Sequence, residues 1–158
     1  MKRFNMVGTD VPRTDAEAKA RGTAIYTDDM KLPGMLYGKI LRSPLAHARI
    51  KNIDISRAVS LPGVKCVITG EDTPKVKYGN WRLFPETQDE YPLAIDKVRF
   101  IGDEIAAVAA IDNDTAEEAA ELIKVEYEEL PAVFDVDSSM LPGAPVSHYL
   151  RHTRLLSH

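Results

Sequence analysis

The chain has one cysteine, one tryptophan and four histidines in 158 residues. A lone thiol, Cys66, cannot close an intramolecular disulfide, so a disulfide-stapled scaffold is excluded. No apolar run approaches the roughly 18 to 20 residues that a membrane span requires. The opening text, MKRFNMVGTDVPRTDAEAKARG, carries two early positive charges but no apolar stretch behind them, so it does not read as a signal peptide. The expectation is a cytoplasmic, reduced protein without membrane insertion. Also missing are G-x-G-x-x-G, G-x-S-x-G, C-x-x-C and H-E-x-x-H, which removes the commonest dinucleotide, acyl-transfer, redox and zinc signatures.

What is present is ordinary for a folded chain of about one domain: 44% of residues are apolar and 28% charged. The net charge of -4 conceals an asymmetry. Residues 1–70 carry twelve Lys/Arg against six Asp/Glu, and residues 71–140 carry six against eighteen. The basic excess is modest, scattered and attached to an acidic half that repels phosphate backbones, so nucleic-acid binding is not expected.

Residues 1–21, polar with Pro12, read as an extended arm, and residues 22–140 as the folded domain. Within it, 23–27, 35–42, 46–54 and 64–69 read as strands, with a bulge or strand end near Asn52 where the alternation fails after Lys51. Asp54 or Ser56 is positioned to cap a short helix over 57–60. The irregular stretch 70–95 is long enough to suggest a functional loop. Gly102-Asp103, bracketed by 97–101 and 104–111, suggests a type II′ hairpin. The clearest helix is 114–123, where Ala116, Ala119, Ala120 and Ile123 form a small-residue stripe and Asp114/Glu117 or Thr115/Glu118 offer a capping box. Residues 124–127 then read as a strand, and 133–140 as a final strand and helical turn. Leu-Pro-Gly occurs at 32–34, 61–63 and 141–143; the unequal spacing marks turn chemistry, not a repeat. The fold class is α+β, a mixed short-strand sheet with one main helix packed on it.

No constellation assembles a reaction centre. His47 lies in a β run and reads as structural or surface. His148 and His152 have i,i+4 spacing, but nothing completes a metal shell. Cys66 is expected to share a strand face with Val64 and Ile68 as a buried, inert thiol. Glu126, Glu128 and Glu129 read as a solvated strand edge, and Glu86 with Glu90 as a weak carboxylate-hydrolase alternative. No catalytic, cofactor-binding or metal residue is expected in this chain.

Five stretches of text carry more: TDDMKLPGMLYG (27–38), LRSPLAHARI (41–50), LPGVKCVIT (61–69), YPLAIDKVRFIGD (91–103) and VEYEELPA (125–132). In order, they resemble the large subunit of molybdenum hydroxylases, the xanthine dehydrogenase and aldehyde oxidase family, at its N-terminal α/β hammerhead domain. The run 90–121 looks nearest to the large subunit of 4-hydroxybenzoyl-CoA reductase. The resemblance implies a complete subunit that binds molybdopterin and acts on aldehydes, N-heterocycles or aromatic acyl-CoA, with iron–sulfur and FAD partners. It also implies that the cofactor and the catalytic base lie in the molybdenum-binding remainder of the subunit, leaving this chain a docking domain inactive on its own. Leu83 and Phe84, in the long loop, are then candidates for the substrate-funnel wall. Leu45 stands where the family commonly has histidine. The tail 141–158 departs from the family text after Pro145 and reads as truncated or non-native. The alternative reading is a free-standing binding or scaffold protein that reuses the hammerhead fold.

Overall fold

The structure, a computed structural model, describes residues 8, 10–79 and 88–146. Packing divides the chain into two units, Met1–Met35 and Leu36–His158. In the first, the extended reading gives way over Ala16–Ala20 to one helical turn (α1) with no buried residue. Its ions are paired along the surface, Lys19 with Asp15 at 2.6 Å and Arg21 with Glu17 at 3.0 Å. The strand expected over 23–27 does not form. No partner strand pairs with it, and Thr27–Asp29 close a 3₁₀ turn instead, leaving Ile25 and Tyr26 exposed.

Among its described residues the second unit holds six strands: β1 (Tyr37–Arg42), β2 (Ala48–Asp54), β3 (Val64–Thr69), β4 (Lys97–Val98), β5 (Glu104–Ala110) and β6 (Lys124–Glu129). The α+β class is as expected, but the strands divide into two antiparallel sheets, β1-β5-β3 and β4-β2-β6, and not one sheet. Helices α2 (Ser56–Ser60), α3 (Asn113–Leu122) and α4 (Val136–Ser139) complete the unit. No strand forms over 133–135.

The hairpin expected across Gly102-Asp103 is not one. β4 pairs with β2, whereas β5 lies between β1 and β3, so the turn hands the chain from one sheet to the other. The Asp103 amide donates to the Phe100 carbonyl at 3.2 Å, and Gly102, third in that turn, has φ +96°, a region that no described non-glycine residue enters. That is a type II turn, whose third position favours glycine. The three Leu-Pro-Gly tripeptides follow the same rule: in each, the amide after glycine donates to the leucine carbonyl, at 3.1 to 3.2 Å.

The main core lies where α3 rests on the first sheet. Ala119 is fully buried among Ala106, Val108, Ala58 and Ile123, with Val64, Val67 and Leu41 closing the sides. Small side chains let the helix approach the strands closely, and close-packed alanine leaves no slack. The helix is capped two residues before Asp114, the earlier of the two caps the text suggests: Asp112 accepts from the Thr115 amide at 2.8 Å. A second cluster, Ala48, Ala94, Val98 and Ile105, fills the space under the second sheet, and Ile53 and Val125 touch both clusters.

Strand irregularities decide which side chains are outward. The expected break in β2 is present as a register shift between Ile50 and Asn52. A shift between Val64 and Cys66 in β3 was not foreseen; it turns Cys66 and Ile68 outward and Val67 inward. Cys66 is therefore exposed, not buried. One extra residue reverses the faces of everything after it.

Candidate docking site

At the second sheet the chain from β1 to β2 runs through Ser43-Pro44-Leu45-Ala46-His47. Ser43 is buried, and its hydroxyl oxygen donates to the Leu45 carbonyl (2.9 Å) and accepts from the Leu45 amide (3.0 Å), which tightens the bend. The bend delivers His47 to the interior at 6% exposure. Its Nδ1 lies 2.7 Å from the Pro131 carbonyl oxygen and its Nε2 3.1 Å from Lys97 Nζ. A carbonyl can only accept and an ammonium can only donate, so Nδ1 carries the proton and Nε2 accepts a hydrogen bond from Lys97. The backbone repeats the tie, with the Leu130 amide donating to the His47 carbonyl at 2.9 Å.

Lys97 also donates to the Val146 carbonyl at 3.3 Å. Burial, then the neighbouring Arg99 charge, hold its ammonium below the ordinary lysine range. His47 and Lys97 together thus fasten the segment after β6, which carries no strand or long helix among its described residues, to β2 and β4.

Over this polar floor lies an apolar cleft of about 230 Å³, lined by Ala46, His47, Phe100, Ile101, Pro131 and Phe134. Phe134 is 79% exposed and Ile101 65%. A folded chain ordinarily covers large apolar groups that stand together, so a cluster of this kind marks a contact surface. It has little capacity for chemistry. Both nitrogens of His47 are committed to structural hydrogen bonds, and among the described residues no three of His, Cys, Asp and Glu gather as metal ligands. The described residues therefore supply no donor set that fits a molybdenum centre.

Of the residues singled out in the sequence, only His47 enters this surface. Leu83, Phe84, Glu86, His148, His152 and His158 lie outside the described residues. Glu90 is engaged through its backbone in a bridge to Tyr78. Glu126, Glu128 and Glu129 do lie on an edge strand, and Glu128 is ion-paired to Lys51. Lys97, Phe100, Ile101, Pro131 and Phe134 were missed. One of them, Ile101, flanks the Gly102-Asp103 turn, and an exposed apolar residue beside a turn was the available signal.

The profile for "Aldehyde oxidase and xanthine dehydrogenase, a/b hammerhead domain" matches residues 21–131. The chain is 43% identical over 138 residues to the carbon monoxide dehydrogenase large chain of Hydrogenophaga pseudoflava, covering 85% of this chain and 17% of that one. It is 39% identical over 142 residues to the xanthine dehydrogenase molybdenum-binding subunit of Escherichia coli O157:H7, covering 86% and 19%. Among solved structures, the aldehyde oxidoreductase from Desulfovibrio gigas superposes with a TM-score of 0.80 at 37% identity, over 87% of this chain and 16% of that one. The chain spans less than a fifth of the length of these relatives.

Proposed function

Because the chain belongs to the aldehyde oxidase and xanthine dehydrogenase family through its hammerhead domain, we propose that it is the docking domain of a molybdopterin-dependent oxidoreductase large subunit, inactive alone. The observation that carries this reading is the exposed Phe100, Ile101 and Phe134 cleft on a domain whose described residues gather no metal-ligand cluster. The occupant is the molybdenum-binding remainder of the subunit, since the matched relatives are five to six times longer than the stretch shared with this chain. Iron–sulfur and flavin subunits carry the electrons of the assembled enzyme. A finer placement beside 4-hydroxybenzoyl-CoA reductase rests on the text of 90–121 and is tested by offering the assembled enzyme an aromatic acyl-CoA against an aldehyde and an N-heterocycle.

The direct test mixes the chain with the cofactor-binding remainder of a relative and measures association. Replacing both Ile101 and Phe134 by Asp lowers affinity by about 100-fold, as expected for two apolar anchors. Unchanged affinity removes the cleft from the interface, and stoichiometric molybdenum with turnover by the chain alone overturns the docking reading. In the assembled enzyme Leu83 and Phe84 line the substrate funnel, so Leu83→Ala with Phe84→Ala raises KM while kcat stays within about twofold.

A further inference from the structure

A second, open cavity of about 570 Å³ has four cations in its lining: Arg49 of β2, Lys77, Lys97 of β4 and Arg99. Tyr91 and Asp96 also line it. This gathering is not the background of the region, because residues 71–140 hold six Lys/Arg against eighteen Asp/Glu. Three of those six meet here.

The internal partners do not neutralise the cluster. Arg99 is 12% exposed and pairs with Asp96 at 3.2 Å while donating to the Lys97 carbonyl at 3.0 Å. Arg49 stands 3.7 Å from Glu128, a carboxylate already held by Lys51. Lys77 sits 5.4 Å from the centre of the Tyr91 ring, a weak cation–π partner. Lys97 meets only the neutral His47 ring and the Val146 carbonyl. Among the described residues, neither Lys77 nor Lys97 forms an ion pair with a carboxylate. Burial is the main reason the Lys97 ammonium lies below the ordinary lysine range; Arg99 adds to it, Asp96 opposes it, and Arg49 and Lys77 contribute last.

We propose that this cavity binds a phosphate-type anion, a phosphate or diphosphate group on a small ligand, held by Arg49, Lys77 and Lys97. The cations come from three separate segments, so the bound group must present negative oxygens in several directions. A tetrahedral, multiply charged phosphate does so, whereas one carboxylate offers two oxygens in a plane. The volume lies in the range of small-molecule sites, and the concave wall concentrates the positive potential. Arg99, fixed to Asp96, lends charge without needing to move.

The probe is inorganic pyrophosphate, titrated by calorimetry into the full 158-residue chain at low ionic strength. One saturable site is expected, its affinity falling as salt rises. Arg49→Ala with Lys77→Ala, both outside the buried core, weakens binding by at least about tenfold, the scale of losing charge-assisted hydrogen bonds. Arg57→Ala with Lys65→Ala, on α2 and β3, leaves it unchanged. Pyrophosphate also slows acetylation of Lys97 by acetic anhydride, read by mass spectrometry. Equal weakening by both variant pairs, absence of saturation, or binding of a polyglutamate peptide but not of pyrophosphate overturns the proposal. None of these outcomes bears on association with the rest of the subunit, which the Ile101 and Phe134 substitutions test separately.

Discussion

The two sheets of the folded unit solve opposite problems. The first is closed: β5 lies between β1 and β3, and α3 presses Ala116, Ala119 and Ala120 onto it, all buried. The second is half open. Its central strand β2 is covered beneath by Ile105 and Val98, but its loop end leaves Phe100, Ile101 and Phe134 in solvent above the His47–Lys97 contact. Stability is concentrated where the packing is small and dense. Contact surface is concentrated where a polar contact, in place of a helix, holds the loops. A domain that works by being attached to something larger needs both.

The contrast makes its strongest prediction in the first sheet. Ala119→Leu inserts three carbons into a fully buried site between helix and strands, and urea unfolding should show a loss of about 3 kcal/mol. Ile101→Asp and Phe134→Asp, by contrast, change stability by less than about 0.5 kcal/mol, since both side chains are mostly in water. A large stability loss in the second pair means that the cleft is core and not contact surface. An intermediate effect belongs to His47→Ala. It deprives Lys97 of its acceptor and Pro131 of its donor, at a cost of about 2 kcal/mol. His47→Gln, whose amide can both donate and accept, recovers part of that loss; equal stability of His47→Ala and the parent would show that the contact fastens nothing.

The same contrast explains what could be read in advance. The α3 stripe and the Leu-Pro-Gly turns were legible because each is a local pattern: helical spacing in one, fixed backbone angles in the other. The gap in β2 after Lys51 was legible for the same reason. The region 97–111 was misread because strand partners are chosen by tertiary packing, and the two runs around Gly102 chose different sheets. Cys66 was misplaced by a bulge at Lys65 that no alternation signals, as Val64, Cys66 and Ile68 have an unbroken period of two. The cleft was invisible for a third reason. Residues 46–47, 100–101 and 131–134 are far apart in sequence and meet through tertiary bonds, among them those of His47 to Pro131 and Lys97.

The smallest expected effect separates the two regions by sign. Asp112 caps α3, and its hydrogen bonds from Thr115, backbone first, hold the carboxyl below the usual carboxylate range. Asp103 accepts from the Arg99 amide at 2.8 Å, yet burial pushes its carboxyl above that range. Stability rises with pH wherever the unfolded chain binds more protons and falls where the folded chain does. Asp112 therefore contributes stability that is present above the unfolded value, near 3.9, and is lost as pH falls through its lower folded value. For Asp103 the folded chain is the tighter proton binder, so stability declines as pH rises from about 3.9 through its raised value. Asparagine at either position keeps an acceptor oxygen and removes the titration. Measured by urea unfolding across pH, Asp112→Asn should lose stability relative to the parent as pH rises through its window, and Asp103→Asn should gain it. Slopes of the same sign would mean that the Asp103 carboxyl is stabilised by the Arg99 amide more than it is penalised by burial, and the turn between the sheets would then belong energetically with the closed end of the molecule.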